Sequence, residues 1–486
     1  MRKLTFLVLI QFAISAAAQE DLNLWTKRMP ITFSEYPADG ETLTNFPVLV
    51  ILTNTTAGAG FDFSDFLSPP YGDLRFAAAD KVTPLDFEVE SWNTDGRAHV
   101  WVRVPELAHG LEIYALWEKL GVAAPACTTN GAVWSGGYVG VWHMNESPAD
   151  AAPQIRDSTE FGSHGTCYGS MTASDLVPGM VGGALDFDGA NDYVNCGNHA
   201  RLEPAHVTLS AWIKATGNGT HADGNMAVSK GRLGTSPYMA WSLRHHLTNK
   251  KVGALLGLGG SEIIPYSSAS VFSTTMPFAH VALTFNGSSY CLFVNGVRDV
   301  SVGNSNPINY AQTDRTLHIG HWGFSGWLRQ FQGLIDEVRV SEVARSSNWI
   351  WACYMNTASN ALFNSYGNPE FQGGPRVTNV NSVSENEFMT LNGYLISTGM
   401  DANVSGAVFW GTNDAGRNAE GWGNTNVIDG IVAEGPLSVD VFPDKVGQLY
   451  YFRFFASNSF GQAWANPVHT FRWWAHFQTG TVFSTW

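Results

Sequence analysis

Tyr290-Cys-Leu-Phe-Val-Asn-Gly-Val-Arg-Asp-Val300 is the stretch that decides the fold class. Two apolar-rich runs flank Asn295-Gly296, and a two-residue type I′ turn needs positive φ at both central positions, which this pair tolerates best. The stretch therefore reads as a β-hairpin. Working outward, Val207, Leu209, Ala211 and Ile213 fall on one face of an extended segment, as do Val281, Leu283 and Phe285 in the next. Strands of this kind, punctuated by glycine, indicate sheets packed face to face in a sandwich.

Composition agrees. Only 14% of the 486 residues are charged, 13% are aromatic and 50 are glycine, a balance that suits short strands and tight turns rather than helical bundles. The length exceeds one ordinary core, so two to four domains are expected. The net charge of −15, with no basic cluster beyond the N-terminus, excludes nucleic acid and anionic lipid as partners. A neutral ligand, or one bridged by a metal ion, fits better.

The first residues predict a destination. Arg2 and Lys3 precede an apolar run over 4–14, and Ala16-Ala-Ala18 forms a cleavage site before Gln19. This is the pattern of a signal peptide over residues 1–18, too short to span a bilayer, with no cysteine for a lipid anchor. A secreted or cell-surface protein is expected, with no membrane span in the mature chain. Of five cysteines (Cys127, Cys167, Cys196, Cys291 and Cys353) some could pair as disulfides in an oxidising compartment, yet an odd number leaves at least one unpaired.

Three segments follow. Residues 22–120 hold a buried apolar run at 46–52 and a hairpin turning on Asn93-Thr-Asp-Gly96. Trp25-Thr-Lys-Arg28, Thr44-Asn-Phe-Pro-Val48, Asp73-Leu-Arg-Phe76, Glu88-Val-Glu-Ser-Trp92 and Val100-Trp-Val-Arg-Val-Pro105 resemble an exported bacterial domain of unknown function, the 2341 family. That resemblance implies no activity. A small-residue connector at 122–135 leads to residues 137–366.

There Gly140-Val-Trp-His-Met-Asn-Glu146 resembles the opening strand of laminin-G-like, concanavalin A-like domains, and residues 157–165 resemble their D-S-x-x-x-G-x-H-G turn. Gly183-Ala-Leu-Asp-Phe-Asp-Gly189, Leu209-Ser-Ala-Trp-Ile213, Val294-Asn-Gly-Val297, Leu317-His-Ile-Gly320 and Gly333-Leu-Ile-Asp-Glu-Val-Arg339 continue the series in order. The resemblance implies a jelly roll at the centre of an all-β chain of sandwich modules. After Gly373-Gly-Pro375, residues 375–471 carry Leu449-Tyr-Tyr-Phe-Arg-Phe-Phe-Ala-Ser-Asn-Ser-Phe-Gly461, which resembles a late strand of fibronectin type III-like modules. In those a tyrosine near the strand start caps the preceding loop, and an Asn-x-x-Gly turn follows.

No catalytic constellation is expected. Enzymes on the concanavalin A-like fold place carboxylates on one strand face at i, i+2 and i+4. Glu88 and Glu90 share a face, but Trp92 stands where a third acid would be. Asp336 and Glu337 are adjacent and should point to opposite faces. Neither a G-x-S-x-G elbow nor an H-E-x-x-H helix occurs.

The resemblance implies a structural calcium tying Asp188 and Gly189 to Asp336. The alternative is that Asp188 and Asn191 form Asx turns and Asp336 accepts backbone hydrogen bonds. Trp322, Phe324 and Trp327 in a glycine-rich loop are the candidate ligand-binding residues. The expected function is non-catalytic recognition of a glycan or an extracellular protein. An adhesive or structural stalk is the alternative and a glycoside hydrolase the third reading.

Overall fold

The computed structural model describes residues 20–474 apart from 56–59, 218, 220, 222–223, 232–235, 247, 272–276, 312–315, 324–328, 385–387 and 431–432. The expected signal peptide lies outside the described residues. Strands dominate, as the alternating patterns require. The opening hairpin joins Ser289–Val294 to Val297–Gly303, with Asn295 at φ 49° and Gly296 at φ 78°, the positive pair a type I′ turn demands.

Residues from 137 onward build two antiparallel sheets around one core. An eight-stranded sheet has Val207–Ala215 and Gln332–Ser341 at its centre, with Gly183–Asp188 and Tyr138–Trp142 both paired to Gln332–Ser341. A seven-stranded sheet runs from Ser261–Ile263 through Trp241–His246 and Leu317–Ile319 to Thr166–Tyr168. Val207, Leu209, Ala211, Ile213, Leu243, Leu256, Ile319 and Ile335 fill the space between them, all fully buried. The odd-numbered face assigned to 207–213 is the core face.

The first sandwich is smaller. Leu43–Leu52, Ala98–Leu107 and Phe87–Trp92 form one sheet, and Lys27–Thr32 with Glu112–Trp117 centres the other. Its closure comes from far along the chain. Tyr366 pairs with Ile31, and Phe371 with Lys27, so residues placed by sequence at the end of the 137–366 module complete the first sheet.

Between them and the jelly roll runs the helix Ser347–Ala358, started by Ser346, whose Oγ accepts from the Trp349 amide at 3.1 Å. Trp349, Ile350 and Ala352 enter the first sandwich's core. Asn356, Asn360 and Asn364, spaced four apart, run along the edge strand Leu43–Leu52. Asn356 Oδ1 accepts from the Leu49 amide at 3.1 Å, and the other two donate to the Leu49 carbonyl at 2.7 Å. An edge that would otherwise offer open backbone groups is thereby covered.

A third sandwich follows residue 375. Arg376–Ser384, Met389–Ser397 and Gly435–Val441 face a sheet centred on Ser405–Gly411 and Leu449–Asn458. Tyr450 donates to Asp444 Oδ1 at 2.6 Å and accepts from the Lys445 amide at 3.2 Å, so the tyrosine does cap the loop before its strand. Asn458 Oδ1 accepts from the Phe460 and Gly461 amides, closing the expected turn. All five cysteines are free thiols. No helix among the described residues is long and apolar enough to cross a membrane.

Candidate functional site

The acids set aside on register grounds converge at the seam between the first two sandwiches. Two bulges bring them there. Glu88 lies opposite Trp101 and Ser91 opposite His99, which leaves Glu90 as the extra residue of its strand. On the far side of the seam, Trp212 pairs with Asp336 but Ser210 with Arg339, so Glu337 and Val338 together oppose Ala211.

Glu337 takes up the slip with a left-handed φ of 51°. A non-glycine residue held there costs about 1–3 kcal/mol and persists only where its surroundings enforce it. The expectation that Asp336 and Glu337 point apart is corrected here: perfect alternation fails at a bulge, and both carboxyls act on one buried cluster.

His143, immediately after the strand Tyr138–Trp142, stands at its centre. Nδ1 lies 2.6 Å from Glu337 Oε1 and 3.4 Å from Glu90 Oε2, and Nε2 lies 3.8 Å from Glu88 Oε2. Indoles fix the acids, Trp101 donating to Glu90 at 2.6 Å and Trp134 to Glu88 at 2.5 Å. Arg339 pairs with Glu337 through Nε at 3.0 Å, its guanidinium over the rings of Trp101 and Trp134 at 4.3 and 4.8 Å. Asp336 Oδ2 accepts from the Met180 and Val181 amides at 2.7 and 3.1 Å.

Burial and charge set the protonation. Burial alone would raise Glu337, but His143 and Arg339 overcome it and hold the carboxyl down to about 2. Burial, reinforced by Glu337, pushes Glu90 and Asp336 well above the carboxylate range. His143 is driven the other way: burial favours the neutral ring, yet Glu337 and Glu90 raise it well above 6.5.

The proximity of Glu90 to Glu337 resembles the separation of about 5 Å used by retaining glycosidases. Their side chains are only 1% exposed, however, and His143 only 7%, so no sugar reaches them.

The proposed calcium ligands are not brought together. Asp188 pairs with Gln332, four residues from Asp336, so the two stand about 13 Å apart along the strand. Asp188 Oδ1 accepts from the amides of Ala190, Asn191 and Asp192, a loop that closes on itself with Gly189 at φ 73°. The Asx turn at Asp188 and the backbone acceptor at Asp336 are thus both present, whereas Asn191, expected to form a further Asx turn, reaches across with its Oδ1 to the Ser170 amide at 3.0 Å.

Trp322 is 6% exposed, packed with Met226, Met239 and Leu255 beneath the Arg329 guanidinium. Phe324 and Trp327 lie outside the described residues. An aromatic surface unforeseen in sequence stands nearby on the outer face of the seven-stranded sheet. Val194 points into the core, so its neighbour Tyr193 points out and stacks on Tyr168, its cross-strand partner, at 5.0 Å and 7°. His321 lies 4.9 Å from Tyr193, and His318 5.6 Å. Burial pushes both imidazoles down to about 4, so they are neutral at pH 7. His321 Nδ1 accepts from the Gly323 amide at 2.8 Å, which leaves its proton on Nε2. Tyr168 is 45% exposed.

Known proteins match part of this architecture. Residues 188–351 match the family described as the concanavalin A-like lectin/glucanases superfamily, so the central sandwich is a domain of that kind. No curated protein matches the chain. Among solved structures, domain 4 of AbnA, a GH43 extracellular arabinanase from Geobacillus stearothermophilus in complex with arabinotriose, is 16% identical with a TM-score of 0.31, covering 44% of this chain and 96% of that one. The CBM40 of Ruminococcus gnavus IT-sialidase bound to α2,3-sialyllactose is 17% identical with a TM-score of 0.27, covering 32% and 84%. Trypanosoma rangeli sialidase in complex with sialic acid is 14% identical with a TM-score of 0.36, covering 57% of this chain and 43% of that one. Likeness at this level carries no functional argument.

Proposed function

We propose that the chain is an exported, non-catalytic protein that binds glycan on the outer face of the seven-stranded sheet of its concanavalin A-like domain. The observation that carries this reading is the parallel stack of Tyr168 and Tyr193, one ring half exposed at the sheet edge, beside two neutral imidazoles. A flat aromatic surface accepts the apolar face of a pyranose, and His318 and His321, each 8% exposed, back the Tyr193 ring from below. The net charge of −15 favours a neutral glycan over a polyanion.

The sealed carboxylates support the absence of hydrolysis. The first module, similar to the bacterial domain of unknown function, and the third, similar to fibronectin type III modules, serve in this reading as support and spacer. The Asp188 loop is braced by its own amides, so a calcium-selective chelator such as EGTA is expected to leave glycan binding unchanged.

The test presents the full chain to an array of neutral and acidic glycans. Retention of a neutral glycan is expected, weakened about tenfold or more by Tyr168→Ala or Tyr193→Ala, the loss of about 1.4 kcal/mol. No retained glycan would overturn the reading, and reducing sugar released from a bound polysaccharide would overturn its non-catalytic part.

A further inference from the structure

Three segments distant in sequence deliver Glu90, His143 and Glu337 to one point, where one donor atom from each lies within 4.8 Å of the others. One ring nitrogen of His143 faces both carboxylates, at 2.6 and 3.4 Å. Bonds of about 2.0–2.2 Å from nitrogen and oxygen to a small divalent ion require donors this close.

A second observation is independent of that convergence. Glu90 Oε1 and Asp336 Oδ1 are buried without any hydrogen-bond partner, although a buried carboxylate oxygen left unpaired is costly. The cluster also sets four carboxyl groups (Glu88, Glu90, Asp336 and Glu337) around two directly paired bases, His143 and Arg339.

The outer contacts have the form that metal sites use. Glu90 is held by the Trp101 indole and Glu337 by Arg339. A ligating histidine ordinarily turns its second ring nitrogen to a carboxylate, and His143 Nε2 faces Glu88, itself fixed by Trp134 and by Ser158 Oγ at 2.7 Å. An imidazole among carboxylates suits a first-row transition ion, whereas calcium takes six to eight oxygens.

We propose that Glu90, His143 and Glu337 bind one divalent ion of the zinc–manganese class, with Asp336 as a further oxygen donor, and that this ion locks the first module to the concanavalin A-like domain. Ligands hold the ion in deprotonated form, so its binding displaces the protons carried by His143 and by the Glu90 and Asp336 carboxyls. Glu88 is a positioning residue that orients the imidazole. The site is sealed, so the ion enters as the two modules close on each other. Nothing in this inference depends on glycan recognition.

The full chain is to be produced in metal-depleted medium and in medium supplemented with Zn2+, Mn2+ or Co2+, and its metal content and thermal unfolding measured. About one equivalent of ion is expected to survive gel filtration, with a higher Tm than the depleted chain and visible d–d absorption for the cobalt form. Glu90→Gln should abolish retention, and Glu88→Gln, which keeps all the ligands, should weaken it about 10- to 100-fold. Should Glu90→Gln fail to fold, the cobalt spectrum of Glu88→Gln decides instead, since a shifted or lost band is expected only if His143 ligates. A folded wild-type chain that retains no ion from any medium, or one whose ion is held equally by both variants, overturns the proposal.

Discussion

The core of the first sandwich runs on into apolar side chains on the outer face of the jelly roll's eight-stranded sheet, whereas no such apolar continuity reaches the third. Val133, Trp134, Val141, Val181, Phe293, Trp349 and Phe363 belong to the same buried cluster as Phe46, Val48, Val100 and Trp117 of the first module. The two clusters of the third sandwich contain no residue from before Val377. Its contact with the rest includes an ion pair of Arg376 with Glu118 at 3.7 Å, and Arg376 over the ring of Phe371 at 4.4 Å.

Burial shared across the seam is what makes two sandwiches unfold as one, because parting them exposes the apolar side chains that each presses on the other. Two cooperative units are therefore expected from three sandwiches. The largest effect should come from the charges buried at the thick seam. Glu337→Ala strips Arg339 of its carboxylate and His143 of its nearest one, and breaking a buried pair costs about 3–5 kcal/mol. Calorimetry should show the larger transition shifted down and the third module's transition unmoved. A loss confined to the first sandwich, with the jelly roll unaffected, would break the comparison.

A middle-sized effect is expected where the chain returns. Asn360 Nδ2 donates to the Leu49 carbonyl and its Oδ1 accepts from the Tyr366 hydroxyl at 3.2 Å. Removing these by Asn360→Ala leaves buried partners unsatisfied, at about 1–3 kcal/mol. The same larger transition should move, and amide exchange should quicken at Leu49 and Ile51. An unchanged exchange rate at both would show that the edge strand does not depend on the returning segment.

How far this was legible in the sequence differs between the two junctions. Residues 122–135 and Gly373-Gly-Pro375 read alike, as small-residue connectors. The second is one. The first ends in Val133 and Trp134, which are buried and complete the seam, Trp134 by donating to Glu88. Strands were legible because alternation follows from one-sided burial, and the Asn295-Gly296 turn because only certain residues accept its φ values.

The seam cluster was not, because a bulge adds one residue without a sequence mark and reverses the face of everything after it. Glu337 and Glu90 both sit at such slips. The return of Tyr366 and Phe371 to the first strand was hidden for another reason: two-residue strands carry no period. The four-residue spacing of Asn356, Asn360 and Asn364 was the signal available, and it marks a polar helix face meeting a strand edge.

The smallest effect tests the thin junction. Arg376 keeps 30% of its side chain exposed, and Glu118 keeps 17%. Burial raises the Glu118 carboxyl, with Arg376 and Lys27 pulling it back, so the lysine at 4.0 Å still offers compensation once the arginine is gone. A partly exposed ion pair contributes about 0–1 kcal/mol. Arg376→Ala should therefore leave both thermal transitions in place while freeing the third module to tumble, read as a fall in its NMR order parameters relative to the slowly tumbling pair or as faster proteolysis near residue 374. Were the two transitions instead to merge or shift together, the third sandwich would be coupled to the others by more than this pair. The contrast between a shared apolar seam and a bridged junction would then lose its basis.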